Sequence, residues 1–231
     1  MKRFWKAARA VEAPGGFSVH LDTRPLRTPA KAPMILPTRA LAEAMVAEWD
    51  AQGAEVKPAT MPVTRAANTT IDRVGAAQAQ VAAAIAAYGE SDLMCYRAPF
   101  PPELAAEQAA AWDPLLDWAA TRLSARLSVG VGVMHVAQPA GALGALARAV
   151  AGHDAWELTA LHDLVTISGS LVLGLAVSDG RLDAPEAWRL SRIDESWNIR
   201  EWGADEEAAE IARLREADFG AAARLLGLLR G

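Results

Sequence analysis

The amino-acid sequence predicts an α+β protein: a small β-rich N-terminal domain with one helix over residues 1–70, then a larger all-helical domain over residues 71–231. Three observations carry that prediction. Phe17, Val19 and Leu21 alternate with Ser18, His20 and Asp22 behind Pro14-Gly15-Gly16, the pattern of a hairpin. From about Val63 onward, apolar residues recur at helical spacing almost throughout. Strands gathered ahead of helices, with no repeat of fixed period, exclude the alternating arrangement of a parallel α/β sheet.

The elements follow in chain order. Arg24–Thr28 and Pro33–Leu36 are short, Pro-interrupted edge strands. Thr38 caps a helix whose Leu41, Met45 and Trp49 form one apolar face, and Gly53 is placed to end it. Trp49 is expected to be buried where this helix meets the helical domain. Two prolines make residues 55–62 an extended link. Ala76–Tyr88 is alanine-rich, hence helical. Pro101–Leu127 is helical, with Asp113-Pro114 starting a second segment. Pro139–Ala151 and Asp154–Ser178 follow, then Asp183–Gly203. Asp205 opens a last helix with a loose stripe of Ile211, Leu214, Ala222, Leu225 and Leu229.

Composition narrows the function. The chain has 231 residues, 52% of them hydrophobic, and 23 basic against 28 acidic side chains, a net charge of −5. Disorder is excluded by the apolar content, and nucleic-acid binding is disfavoured by the acidic balance. Cys95 is the one cysteine, so no intrachain disulfide or multi-cysteine metal site forms. The apolar run Leu164–Val177 is shorter than the roughly 20 residues of a membrane span. No secretory signal or organelle presequence is visible.

Catalytic motifs are missing. His20, His135, His153 and His162 form no metal-binding pair, and no nucleophile elbow or phosphate-binding loop is present. His162 shares a stripe with Leu158, Leu161 and Val165, as a core histidine does. An enzyme or small-molecule site would have to use His162, Asp163 and Glu195 in a helical pocket.

Residues 183–203 stand apart. On one continuous helix, Leu190, Ile193 and Trp197 make a core stripe, while Trp188, Ile199 and Trp202 cluster opposite with Glu195 among them. A carboxylate among apolar side chains needs a donor. Either Glu195 pairs with an internal arginine or caps a neighbouring helix, or it belongs to a contact surface, with Asp194 as a solvated companion.

Several stretches together resemble the Atp12 family, assembly chaperones of the F1 sector of ATP synthase. They include Arg3-Phe4-Trp5-Lys6, Leu21-Asp22 with Arg24-Pro25-Leu26-Arg27-Thr28-Pro29, and Glu48-Trp49-Asp50-Ala51-Gln52. Asp92-Leu93 with Cys95-Tyr96-Arg97-Ala98, Trp112-Asp113-Pro114-Leu115-Leu116, Gly169-Ser170-Leu171, and Asp194-Glu195 with Trp202-Gly203 continue the match. The resemblance implies a β-rich domain joined to a helical one, with no catalysis, cofactor or metal. It implies a monomeric partner-binding protein that holds the free F1 α subunit until β takes its place. Glu195 best matches an acid that matters in the family, although Trp197-Asn198 stand where an aromatic-Gln pair is frequent. The partner surface expected is Glu195, Asp194, Trp188, Ile199 and Trp202, with Trp49 structural. Without a presequence, the expected location is the bacterial cytoplasm.

Overall fold

Between Ala13 and Gly16 the chain reverses in two residues, Pro14 and Gly15, and pairs β1 (Ala8–Ala13) antiparallel with β2 (Gly16–Leu21). A computed structural model describes residues 2–231 of the chain. β3 (Arg24–Pro25) and β4 (Ile35–Leu36) both pair with β2, at His20–Leu21 and Phe17–Ser18. They therefore share the edge of β2 opposite β1. Gly16 makes the β4 pairing possible: a Cβ there would lie 2.2 Å from the Leu36 carbonyl oxygen.

Thr38 caps α1 (Arg39–Asp50), its hydroxyl accepting from Leu41 N. α1 lays Leu41, Met45 and Trp49 against the sheet side of this region, next to β1 and β2. A 3-10 turn at Pro58–Thr60 leads into α2 (Pro62–Thr69), which continues through a π-helical stretch at Thr70–Val74. Glu48 holds the start of α2: its carboxylate accepts from Val63 N, Thr64 N and the Thr64 hydroxyl at 2.6–2.8 Å.

The helical part contains α3 (Gln78–Ala86), α4 (Pro102–Arg122), α5 (Ala140–Ala151), α6 (Ala155–Ser168), α7 (Leu171–Ser178), α8 (Ala184–Ser191), α9 (Ile193–Trp202) and α10 (Glu206–Leu229). Two dipeptide strands, β5 (Tyr96–Arg97) and β6 (Gly130–Val131), pair in parallel within it. The α+β class follows: a small strand-containing N-terminal region and a larger helical remainder.

The chain divides into two compact units, and the division does not follow chain order. One holds residues 1–78, 154–160 and 224–231; the other holds 79–153 and 161–223. In the first, the Thr70 and Thr159 hydroxyls meet at 2.7 Å, and Thr38 Oγ1 donates to the Leu228 carbonyl at 2.6 Å.

The helix expected over Pro101–Leu127 ends at Arg122, and helix continuity differs from the sequence expectation in three places. α4 runs straight through Pro114 instead of restarting there. Trp112, Leu115 and Leu116, on both sides of the proline, are buried, and Trp112 Nε1 donates to the Leu190 carbonyl at 2.9 Å. Tertiary packing outweighs the lost backbone donor. The expected helix 154–178 is broken after Ser168, and Ser170 caps a new helix by accepting from Leu173 N at 3.0 Å. The Ser170 hydroxyl in turn donates to Asp92 Oδ1 at 2.7 Å; Asp92 also accepts from Met94 N and Val172 N. One buried carboxylate thus ties a 3-10 turn to the start of α7. The third difference is the break at Arg192, between α8 and α9.

Candidate functional site

The break at Arg192 changes which side chains share a face. Its backbone leaves the helical region, at φ −117° and ψ 21°, so α8 and α9 do not share one helical phase. Trp188 is a correction to the expected surface: it is buried, packed on Phe219 at a ring-centroid distance of 6.0 Å. The Arg192 guanidinium lies 5.4 Å from the centre of the Trp188 ring.

On α9 itself, Glu195, Ile199 and Trp202 stand at i, i+4 and i+7, within about 60° of one another around the axis. All three face solvent: the Glu195 side chain is 47% exposed and Trp202 85%. Arg192 Nη1 reaches Glu195 Oε1 at 2.6 Å. Glu195 is therefore paired with an arginine of its own chain and still accessible.

Asp194 has a different role from its neighbour. It is half-buried and accepts from Gln108 Nε2 at 2.5 Å, while Gln108 Oε1 accepts from Ala98 N at 2.7 Å. Arg200 stacks on Trp197 and pairs with Glu107 of α4. These contacts pin one side of α9 to α4, which leaves the Glu195–Ile199–Trp202 side turned outward. At the end of α9, Gly203 takes φ 89°, a left-handed conformation that a side chain would strain.

The rival pocket residues are not brought together. His162 and Asp163 hydrogen-bond to each other at 3.0 Å and are both about half exposed, whereas Glu195 pairs with Arg192. His162 is thus a surface histidine, not the core one its stripe implied; the Asp163 hydrogen bond raises its pKa, with partial burial opposing. A depression lined by Pro114, Leu115, Arg181, Asp183, Glu186 and Arg189 includes none of the three. Among the described residues no three His, Cys, Asp or Glu side chains group as a metal site, and no helix is long and apolar enough to cross a membrane. Burial, with the Asp92 carboxylate nearby, pushes the Cys95 thiol up to about 12, so it stays protonated and unreactive at neutral pH.

Sequence reasoning missed two exposed features. Ile211 and Leu214, read as one loose stripe with Ala222 and Leu225, are exposed while the latter two are buried. Phe100, Val131, Val133 and Met134 also face solvent. The only advance signal in the second case is the absence of charge between Arg126 and Arg148.

An exposed tryptophan and isoleucine beside a carboxylate, on a helix anchored from behind, have the composition typical of the class of proteins that dock on others. Comparison with known proteins gives that class a family. The family described as ATP12 chaperone protein matches residues 2–120, and the chain belongs to it. The crystal structure of Atp12 from Paracoccus denitrificans is 48% identical and superimposes with a TM-score of 0.96, covering 99% of this chain and 98% of that one. A putative chaperone from Agrobacterium tumefaciens is 43% identical at a TM-score of 0.95, covering 99% and 86%. The mitochondrial atp12 protein of Schizosaccharomyces pombe is 22% identical over an alignment of 222 residues that covers 91% of this chain and 76% of that protein.

Proposed function

We propose that this ATP12-family chaperone for F1-ATPase assembly binds the free α subunit and keeps it from aggregating until F1 assembles. It does so as a monomer in the bacterial cytoplasm, without catalysis, cofactor or metal. The family membership supports the assembly role. The observation that carries the binding role is the outward strip Glu195–Ile199–Trp202 on α9. An unassembled subunit exposes apolar surface that drives association. A strip of two apolar side chains and one carboxylate covers part of such a surface, orients it, and repels wrong partners by charge.

The test is Glu195→Lys. The Arg192–Glu195 pair is solvent-exposed on the glutamate side, so its loss costs the fold less than about 1 kcal/mol. Charge reversal at a desolvated contact removes an attraction and adds a repulsion, together on the order of 2–5 kcal/mol of binding. Thermal melting and α-subunit capture are measured on the same purified variant. The expected result is a near-normal melting temperature with capture largely lost. A variant that melts early, yet whose folded fraction still captures α normally, would place Glu195 in the internal framework.

A further inference from the structure

Three residues separate α9 from α10, whose first three turns are exposed all round. Every residue from 206 to 218 faces solvent except the half-buried Ala212. A helix of a folded protein ordinarily hides one face. This stretch is held by local interactions instead. Asp205 Oδ1 accepts from Ala208 N at 2.8 Å, Glu206 and Glu207 occupy the positive end of the helix, and Glu210 grips Arg213 through two hydrogen bonds. Its alanine, glutamate, arginine and leucine content favours helix without burial. A helix so stabilised has no need of large apolar residues, yet Ile211 is 48% and Leu214 51% exposed.

The placement of that pair repeats the strip on the preceding helix. Glu207, Ile211 and Leu214 stand at i, i+4 and i+7, as Glu195, Ile199 and Trp202 do, so each set shares one helix face. The charge is concentrated in the same place. Residues 194–218 hold nine carboxylates against three arginines, an excess larger than the net −5 of the whole chain.

We propose that the Glu207–Ile211–Leu214 face of α10 is a second docking limb, and that it takes an apolar surface edged with lysine or arginine side chains on the client subunit. The reading rests on the proposal that the client is the free α subunit. Charge selects this occupant: a second copy of the chain would set two acidic faces against each other, whereas a basic rim is attracted. The pre-formed helix lowers the ordering cost of docking.

Three proteins decide it: the unaltered chain, Ile211→Ala with Leu214→Ala, and Glu207→Gln with Glu210→Gln. Each is titrated with purified α subunit at low and high NaCl, with circular dichroism and sedimentation alongside. Alanine is the best helix former, so the first variant keeps its helix; its affinity is expected to fall about tenfold or more through lost apolar contact. The glutamine variant is expected to show a flatter salt dependence than the unaltered chain. Undiminished affinity of the alanine variant, or an unchanged salt dependence of the glutamine variant, overturns the second limb while leaving α binding through α9 standing. Failure of the unaltered chain to bind α removes both proposals. A dimer of the unaltered chain that the alanine variant abolishes would show a second copy on this face and overturn the basic client surface.

Discussion

Trp49→Arg is expected to cost about 3–5 kcal/mol and to eliminate most soluble protein. Trp49 is buried on α1, edge to face with Trp5 at a centroid distance of 5.1 Å. The two carboxylates beside it in the chain are already in use. Glu48 is already engaged by Val63 and Thr64, and Asp50 Oδ1 accepts from Ala8 N at 2.8 Å. The indole nitrogens of Trp5 and Trp49 are buried without a hydrogen-bond partner, so neither ring is held by a hydrogen bond from its nitrogen. What they contribute is apolar area and ring packing. Trp49→Phe keeps most of both and is expected to cost only about 1–2 kcal/mol. Soluble yield and thermal melting of the two variants check this. A soluble arginine variant that melts like the unaltered protein would mean that Trp49 is not a core anchor.

Asp92→Ala is expected to be as damaging, about 3–5 kcal/mol, without touching any exposed surface. The substitution leaves Met94 N, Val172 N and the Ser170 hydroxyl without their acceptor inside the protein, and each stranded donor costs about 1–3 kcal/mol, not fully additively. Asp92→Asn keeps one acceptor oxygen but sets an amide donor against another donor, so an intermediate loss is expected. The pH dependence separates the two roles of the carboxyl. Burial pushes the Asp92 pKa up, against the donors that pull it down. A carboxyl raised in the folded state contributes fully below its unfolded value of about 3.9, and that contribution fades as pH rises through the folded value. The melting gap between the unaltered protein and Asp92→Asn should therefore be widest in acid and narrow as pH rises. A gap that widens with pH would show the ionised form to be the favoured one.

What could be read from the sequence depended on whether local physics decided the outcome. The hairpin was legible because alternation and a Pro-Gly connection act within a few residues, and the Thr38 cap and the buried face of α1 were legible for the same reason. The break at Arg192 was not. No glycine or proline marks it, and the Arg192 contacts with Trp188 and Glu195 form only once both helices are in place. Pro114 failed in the opposite direction: a strong local breaker was overridden by packing around Trp112. At the candidate site, Glu195, Ile199 and Trp202 remained on one face because they lie on the same side of the break. Trp188 lies on the other side and left the face. The exposed start of α10 was hidden by its own regularity, since an apolar stripe has the same spacing whether or not anything covers it.

The Thr38 side chain has a consequence for biosynthesis. Its hydroxyl serves two helices at once, accepting a hydrogen bond from Leu41 N and donating one to the Leu228 carbonyl, 190 positions along the chain. The unit that contains β1 to β4 is completed only by residues 224–231. At ribosomal rates of about 5–20 residues per second, the hairpin and α1 wait on the order of ten seconds for those residues to be made. During that interval the emerging chain exposes apolar surface of its own, so the protein passes through the same vulnerable condition as the subunit it is proposed to guard.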